Sequence, residues 1–142
     1  MEIGMLKEQD ITDKLQLQVT ALYKQLNADN IQRPLQEILN KDNKVHFVVC
    51  RINGKLAGIA LLATYKVISG HRGMIEDVVV DPAYRGKGIG RKLMEKLLEE
   101  GRKEGLDGIM LFTGHHRTAA INLYKSLGFT QRESGLYNLK LK

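Results

Sequence analysis

The stretch VVVDPAYRGKGIGRK, residues 78 to 92, joins a β-branched run, a basic glycine loop and the start of an amphipathic helix. Gly86, Gly88 and Gly90 allow backbone conformations that other residues avoid, and they remove side chains that would hold a ligand away. Successive backbone amides can then point at one anion, with the positive end of the helix dipole behind them. Four basic residues stand around these glycines: Arg85, Lys87, Arg91 and Lys92. The stretch therefore predicts a strand, a diphosphate-binding loop and a helix N-terminus in series.

Two common phosphate-binding loops do not fit this stretch. The nucleoside-triphosphate loop needs a glycine, four residues and then Gly-Lys-Ser/Thr, and the chain has no such run. The dinucleotide fingerprint needs G-x-G-x-x-G, whereas this loop reads G-x-G-x-G. No short βαβ unit with a ribose-binding acid surrounds it either. The loop is therefore neither a nucleoside-triphosphate loop nor a dinucleotide fingerprint.

Length and composition are those of an ordinary globular chain. The 142 residues predict a single domain, residues 1 to 142, which can bury a core without metals or disulfides. The one cysteine, Cys50, lies in an apolar run and is expected to pack there as a small core side chain. The longest uncharged apolar run, residues 56 to 65, is too short to span a bilayer. Because the N-terminus carries acids where a signal peptide would be basic, we expect a cytoplasmic protein with no membrane partner.

The basic excess has three interpretations. The chain carries 22 Lys and Arg against 16 Asp and Glu, a net charge of +6, which suits nucleic acid, a small anionic ligand or mere solubility. Nucleic-acid readers usually interleave basic residues with aromatic ones, but this chain has no Trp and only three Phe. The densest basic cluster coincides with the glycine loop. A polyphosphate ligand is therefore favoured, and we expect no nucleic-acid partner.

Hydrophobic periodicity predicts strands and helices along the whole chain. The predicted strands are 3–6, 45–52, 55–67, 74–80, 109–112, 129–131 and 136–141. Four helices are predicted. The first begins after the N-caps at 10–13, the second occupies 35–39, the third runs from Ile89 to about 101–105, and the fourth ends at the stop residue Gly128. Asn53-Gly54 between two predicted strands indicates a tight hairpin turn. The near-continuous apolar character of 74–80 indicates a central strand covered on both faces.

The loop Arg85-Gly86-Lys87-Gly88-Ile89-Gly90 resembles the R/Q-x-x-G-x-G/A loop of the GNAT family of N-acetyltransferases. A second block, RTAAINLYKSLGF at residues 117 to 129, and the order of predicted elements resemble the same family, so the resemblance extends almost from end to end. It implies an α/β (α+β) fold in which a central mixed, mostly antiparallel sheet of six to seven strands is flanked by about four helices.

The resemblance also implies a reaction and a set of cofactor-binding residues. Acetyl-CoA would be the co-substrate, no metal would be needed, and the acetyl group would pass directly to a primary amine of a small molecule or peptide. A β-bulge would splay the strand 78–80 from the strand 109–112, and Val78 or Val79 would offer an amide to the thioester carbonyl. The residues expected to bind the cofactor are Val78, Val79, Val80, Arg85, Gly86, Lys87, Gly88, Ile89, Gly90, Arg91 and Arg117.

Tyr124 aligns with the tyrosine of the family's L-Y-x-x-x-G-F block and would act as general acid. A phenol with a pKa of about 10 holds a proton at neutral pH and can give it to a basic thiolate. The alternative is that Tyr124 only packs its helix against the sheet. Many family members carry Asn seven residues earlier, where this chain has Arg117, which would then reach a cofactor phosphate instead.

The general base has several candidates. Glu76 leads, because a carboxylate on an otherwise apolar strand carries a desolvation cost that calls for a partner. Its alternative role is a structural bond to a neighbouring strand or to Arg72. His115 and His116 are the other candidates, although loop histidines are usually plain surface residues. A metal site made of these two with His71 is rejected, since no carboxylate or second His stands at ligand spacing to support it.

Other interpretations of the function stay open. Residues 72 to 80 also resemble the corresponding strand of glucosamine-6-phosphate acetyltransferases, which makes an amino-sugar phosphate a named alternative acceptor. A second alternative is a family member that binds coenzyme A without catalysis. The sequence leaves open which amine is acetylated and whether the chain forms a homodimer.

Overall fold

The computed structural model describes residues 1 to 142, and it divides into two compact units, residues 1 to 112 and 113 to 142. The first unit holds one sheet of five strands in the order β1-β2-β3-β4-β5. The elements are β1 Glu2–Met5, α1 Asp13–Tyr23, α2 Leu35–Ile38, β2 Val45–Ile52, β3 Lys55–Val67, β4 Gly70–Val80, α3 Ile89–Glu104, β5 Gly108–Met110 and α4 Thr118–Ser126. None of the helices combines the length and the apolar character that crossing a membrane requires.

The sheet is antiparallel except at its last pair. Strands β1 to β4 pair antiparallel with their neighbours, and β5 pairs parallel with β4. Asn53 and Gly54 join β2 to β3 with φ angles of 50° and 77°, the left-handed geometry that a two-residue hairpin turn of this type needs. The mixed, mostly antiparallel sheet predicted from the sequence is thus confirmed.

One face of the sheet packs against α1 and α2, and the other packs against α3. Phe47, Ile59 and Leu61 join the buried side chains of α1 and α2 in a single cluster. On the other face, a Cβ added to Gly58 of β3 would lie 3.0 Å from Ile89 and 3.1 Å from Leu93. The absence of a side chain at Gly58 therefore lets the first turns of α3 approach the sheet closely.

Helix α3 has the predicted amphipathic form. Its apolar positions are almost fully buried, and they are Ile89, Leu93, Met94 and Leu97. The helix ends at Glu104, and Gly105 follows with a φ of 83° and donates its N–H to Gly101 O at 3.1 Å. The predicted end of this helix near residues 101–105 is confirmed.

The two strands predicted at 129–131 and 136–141 are not formed, so the sheet has five strands rather than six to seven. The Phe129 N–H instead bonds to Tyr124 O at 3.0 Å as part of the cap of α4. Alternating apolar residues do occur in the last segment, but Leu136, Tyr137, Leu139 and Leu141 are 66–98% exposed. Alternation of apolar and polar residues indicates only which side chains would share a face. A strand forms only where a neighbouring strand satisfies its backbone N–H and C=O groups.

Candidate functional site

The glycine loop follows β4 through a short helical turn. The Asp81 carboxylate accepts the Ala83 N–H at 2.9 Å and caps the 3-10 turn Pro82–Tyr84. Gly86 and Gly88 then take φ angles of 81° and 76°, and Gly88 is the N-cap of α3. An added Cβ at either glycine would meet no protein atom within 4 Å. No protein atom would clash with a side chain at these two positions. Glycine is therefore favoured here because it adopts the positive φ angle without strain and leaves room for a ligand.

The backbone amides of the loop are available to a ligand. The first backbone hydrogen bond of α3 runs from the Lys92 N–H to Gly88 O at 3.1 Å. The N–H groups of Gly86 to Gly90 precede it and donate to no backbone carbonyl. Successive amides in alternating right- and left-handed conformations form a concave anion site, and the dipole of α3 adds to it. This arrangement fits a diphosphate.

Strand β4 contains a β-bulge directly before the loop. Glu76 pairs with Leu61 and Val79 pairs with Ile59, so Asp77 and Val78 together face the single residue between those partners. Asp77 has a φ of 51°, the left-handed conformation found at the first residue of one type of bulge, where glycine is usual. Sequence reasoning expected a bulge in this strand from the family resemblance but did not locate it.

The far edge of β4 is open beyond its first residues. Strand β5 pairs with β4 only where Arg72, Gly73 and Met74 meet Gly108, Ile109 and Met110. From Ile75 to Val80 the backbone of β4 has no strand partner on that side, although β3 pairs with it on the other. An extended ligand with amide groups can therefore add to this edge as a strand would. Val78 and Val80, the predicted pantetheine-binding residues, lie on this open segment.

Two exposed carboxylates, Glu76 and Asp77, lie on this open segment. Although the Glu76 side chain is exposed, partial desolvation raises its pKa, and the neighbouring charge of Asp77 raises it further. Burial also raises the pKa of Asp77. One structural role considered for Glu76, besides a bond to a neighbouring strand, was a bond to Arg72, but the Arg72 guanidinium lies over the Tyr65 ring, 5.8 Å from its centroid. Sequence reasoning missed Asp77, since the strand pattern around it gave no indication of an extra residue.

Tyr124 and Arg117 belong to the second unit. The end of α4 is capped by Gly128, whose N–H bonds to Lys125 O, and by the Phe129 N–H, which bonds to Tyr124 O, both at 3.0 Å. The Tyr124 and Phe129 rings meet edge to face at 6.1 Å, the apolar contact typical of this cap. Tyr124 is buried, which raises its pKa, while the positive charge of Arg117 acts in the opposite direction. The phenol therefore stays protonated at neutral pH.

The remaining candidates lie apart from any metal-binding arrangement. His115 and His116 are exposed in the turn before α4. The His71 Nε2 instead lies 2.7 Å from the Glu104 carboxylate, and no group of three or more His, Cys, Asp or Glu side chains is placed to hold a metal ion. Cys50 is fully buried and free, as predicted, and burial raises the pKa of its thiol.

The fold and the glycine loop were compared with known protein families. The sequence model of the acetyltransferase (GNAT) family matches residues 10 to 129. The chain belongs to the acetyltransferase (GNAT) family.

Relatives and solved structures agree with this assignment. An uncharacterised N-acetyltransferase of Methanocaldococcus jannaschii is 34% identical over 98 residues, which are 67% of this chain and 43% of that protein. The L-methionine sulfoximine/L-methionine sulfone acetyltransferase of Salmonella typhimurium is 37% identical over 84 residues, 58% of this chain and 49% of that protein. The chain thus spans about half the length of these curated relatives. An acetyltransferase structure from Trypanosoma brucei covers 99% of both chains with 26% identity and a TM-score of 0.78.

Proposed function

We propose that this protein is an acetyl-CoA-dependent N-acetyltransferase that moves an acetyl group directly to a primary amine of a small molecule or peptide. The observation that carries the proposal is the row of unbonded amides from Gly86 to Gly90, which stands directly after a bulged strand with an open edge. The row fits the pyrophosphate of coenzyme A and the edge fits its pantetheine arm. Family membership supplies the acetyl group as the part transferred.

The chain offers distinct groups to each part of the cofactor. The five loop amides would bind the phosphates, and the side chains of Arg85, Arg91 and Arg117 would contribute positive charge to them. The backbone of Val78 and Val80 would pair with the pantetheine amides. The amide of Val78 or Val79 would donate to the thioester carbonyl, because a fixed N–H stabilises the charge that develops on that oxygen. Acetyl-CoA itself supplies an activated acetyl thioester.

Two side chains would move the protons of the reaction. Glu76 would accept a proton from the substrate ammonium, since its raised pKa makes it a stronger base than a glutamate with the ordinary pKa. The freed nitrogen would bond to the acetyl carbon, the carbon–sulfur bond would break, and the second proton lost by the nitrogen would restore the phenol of Tyr124 after it has protonated the thiolate. Tyr124 would donate its phenolic proton to the departing thiolate, because its raised pKa keeps that proton in place at neutral pH.

Two observations guide the choice of acceptor amines to test. The Salmonella relative is named for amino-acid analogues, whereas the strand at residues 72 to 80 resembles enzymes that act on glucosamine 6-phosphate. A non-catalytic coenzyme A-binding protein is the second candidate function. The panel of acceptors should therefore include amino acids and methionine sulfoximine, a peptide with a free N-terminus, glucosamine 6-phosphate, an aminoglycoside and a polyamine.

The test is thiol release from acetyl-CoA with each amine across the pH range 6 to 9. We expect release with at least one amine, and we expect Tyr124→Phe to slow it by about 100-fold or more, since general acid catalysis contributes that much. Tyr137→Phe is the matched control, because this side chain is 98% exposed. Release with no amine, together with no thermal shift on adding coenzyme A, would contradict the proposal. A thermal shift without release would favour the non-catalytic protein.

A further inference from the structure

We propose that Gly58 of β3 is a positioning residue for coenzyme A: because it has no side chain, the first turn of α3 lies close to the sheet, and this closeness sets the separation between the loop amides and the open edge of β4. This role rests on the proposed function and deepens it, because it involves a residue outside the glycine loop in cofactor binding. It requires that both ends of the loop rest on one short segment of β3 and that this segment leaves no space for a side chain.

Strand β3 holds both ends of the glycine loop. At the beginning of the loop, Asp81 donates its N–H to Ala57 O at 2.8 Å. The residue before it, Val80, pairs with Gly58. At the end of the loop, α3 begins at Ile89, whose side chain is 2% exposed and lies over Gly58. Two consecutive residues of β3 therefore fix both the point where the loop leaves the sheet and the point where it enters the helix.

The position of Gly58 has no room for a side chain. A Cβ added there would lie 3.0 Å from Ile89 Cγ2, 3.1 Å from Leu93 Cδ1 and 3.2 Å from Val79 O. All three separations are shorter than an ordinary van der Waals contact, which begins near 3.4 Å. The backbone does not require glycine at this position, because Gly58 is not among the glycines with a positive φ. Glycine is therefore explained here by the close approach of the helix.

A side chain at Gly58 would displace the first turn of α3. Ile89 and Leu93 are 2% and 0% exposed, so both are enclosed by other side chains. Close-packed protein interiors transmit such strain to their neighbours. On the other side of the contact, Val79 belongs to β4, which is held by its pairing with β3. The helix is therefore the part that yields, and its first turn carries the loop amides with it.

Coenzyme A is sensitive to this displacement because it would bind in two places at once. The amides from Gly86 to Gly90 would hold its pyrophosphate, and the backbone of Val78 and Val80 would hold its pantetheine arm. Covalent bonds join these two parts of the cofactor, so the two binding regions must stand at a matching separation. Hydrogen bonds need donor–acceptor distances of about 2.7–3.2 Å, so a displacement of a few tenths of an ångström weakens the whole set.

Gly101 provides a matched control at the other end of α3. A Cβ added there would lie 2.8 Å from Ile109 Cδ1 and 3.2 Å from Leu106 Cδ1, so the position is as crowded as that of Gly58. Gly101 lies about 18 Å along the helix from Ile89, at 1.5 Å per residue. Alanine at Gly101 therefore crowds the same helix without touching the turn that carries the loop.

The first test is the affinity for coenzyme A, measured by isothermal titration calorimetry on variants whose folding is checked by thermal unfolding. We expect Gly58→Ala to raise the dissociation constant by about tenfold, because misplacing a bound group by about 1 Å can cost about 100-fold. Gly101→Ala should leave the dissociation constant unchanged. Wild-type affinity in Gly58→Ala, or an equal loss in both variants, would overturn the proposal.

The second test combines steady-state kinetics with a compensating substitution. With the amine that the wild-type protein acetylates fastest, we expect Gly58→Ala to raise KM for acetyl-CoA and to leave kcat near the wild-type value, since the change acts on cofactor binding. The double variant Gly58→Ala/Ile89→Leu should recover most of the affinity for coenzyme A. Leucine lacks the Cγ2 methyl that the new Cβ would meet, and it has nearly the same volume as isoleucine. A lower kcat with an unchanged KM for acetyl-CoA, or no recovery in the double variant, would overturn the proposal.

The two proposals fail separately. If the wild-type protein binds coenzyme A but acetylates no amine, the proposed function fails while the calorimetric comparison still decides the role of Gly58. If acetyl transfer proceeds and Gly58→Ala binds coenzyme A as tightly as the wild-type protein, only the role of Gly58 fails. If the wild-type protein binds no coenzyme A, both proposals fail.

Discussion

At the scale of single residues, the block Leu123 to Phe129 illustrates how one motif serves two purposes. Gly128 ends α4 with a φ of 98°, and Phe129 then packs edge to face on Tyr124. Phe129 thus both caps the helix and contacts the ring of Tyr124, and the burial of Tyr124 raises the pKa of its phenol. The glycine and the phenylalanine of this family motif thus have a structural explanation, because they form the cap of α4 beside Tyr124.

Gly88→Asp is expected to abolish binding of coenzyme A. Aspartate tolerates the left-handed backbone, and its Cβ enters open space, so the fold should survive with a loss of about 1 kcal/mol. The added carboxylate, however, would repel phosphates from the loop amides. The measurement is the thermal shift on adding coenzyme A, which should be several degrees for the wild-type protein at saturating ligand. Gly88→Asn has the same shape without the charge, and full binding by the Asp variant would show that the loop does not hold the phosphates.

Thr113→Val is expected to stabilise the protein. The Thr113 hydroxyl is buried and has no hydrogen-bond partner, and such a group carries a desolvation penalty of about 1–3 kcal/mol. Valine keeps the shape and removes the hydroxyl, so the free energy of unfolding should rise by about 1 kcal/mol. Urea unfolding measures the change, and the exposed Thr130→Val provides the control. A clear loss of stability in Thr113→Val would mean that the hydroxyl has a partner.

At the scale of secondary structure, α3 is held at both ends. Its first turn packs over Gly58 of β3. Its last residue, Glu104, lies 2.6 Å from the His46 Nε2 on β2 and 2.7 Å from the His71 Nε2 on β4. Burial acts to raise the pKa of Glu104, but hydrogen bonds from His46, Thr64 and His71 outweigh it and hold the pKa below its ordinary value. The position of the loop at the start of α3 thus depends on the whole length of the helix.

Glu104→Gln is expected to lower the free energy of unfolding at pH 7 by about 1 kcal/mol, because the two imidazoles lose a charged acceptor. A group whose pKa is lowered by folding stabilises the protein above its unfolded pKa, here about 4.3, and this contribution is lost as the pH falls through the folded pKa. The difference between variant and wild type should therefore shrink between pH 5 and pH 3.5 in urea unfolding. Glu99→Gln on the same helix should have little effect at any pH, since its side chain is 52% exposed. A pH-independent loss in Glu104→Gln would contradict this account.

At the scale of the whole molecule, the net charge of +6 has a local explanation. Arg85, Lys87, Arg91 and Lys92 surround the loop whose amides are free to bind an anion. We therefore expect no binding to duplex DNA or single-stranded RNA at physiological salt, as measured by fluorescence anisotropy. Submicromolar binding that weakens steeply with salt would instead indicate phosphate contacts along a nucleic acid. Coenzyme A added as competitor distinguishes the loop from a separate basic surface.

Much of the fold follows from local sequence. The hairpin at Asn53-Gly54, the strand limits of 45–52 and 55–67 and the amphipathic helix from Ile89 were predicted and confirmed, because turn chemistry and periodicity act over a few residues. The last two strands were predicted wrongly for a related reason. Alternation in 136–141 indicates which side chains share a face, but the sequence contains no information about whether a partner strand is in reach.

The sequence by itself determined the family and the glycine loop, since these depend on glycines and charges that are contiguous in the chain. Only the tertiary structure decided that β4 carries one extra residue at Asp77 and loses its partner β5 beyond Met74. A bulge is a difference in register between two strands, so no single strand can display it. That register also decides that Glu76 and Val79 share one face of the sheet, whereas the adjacency of Glu76 and Asp77 is already given by the sequence.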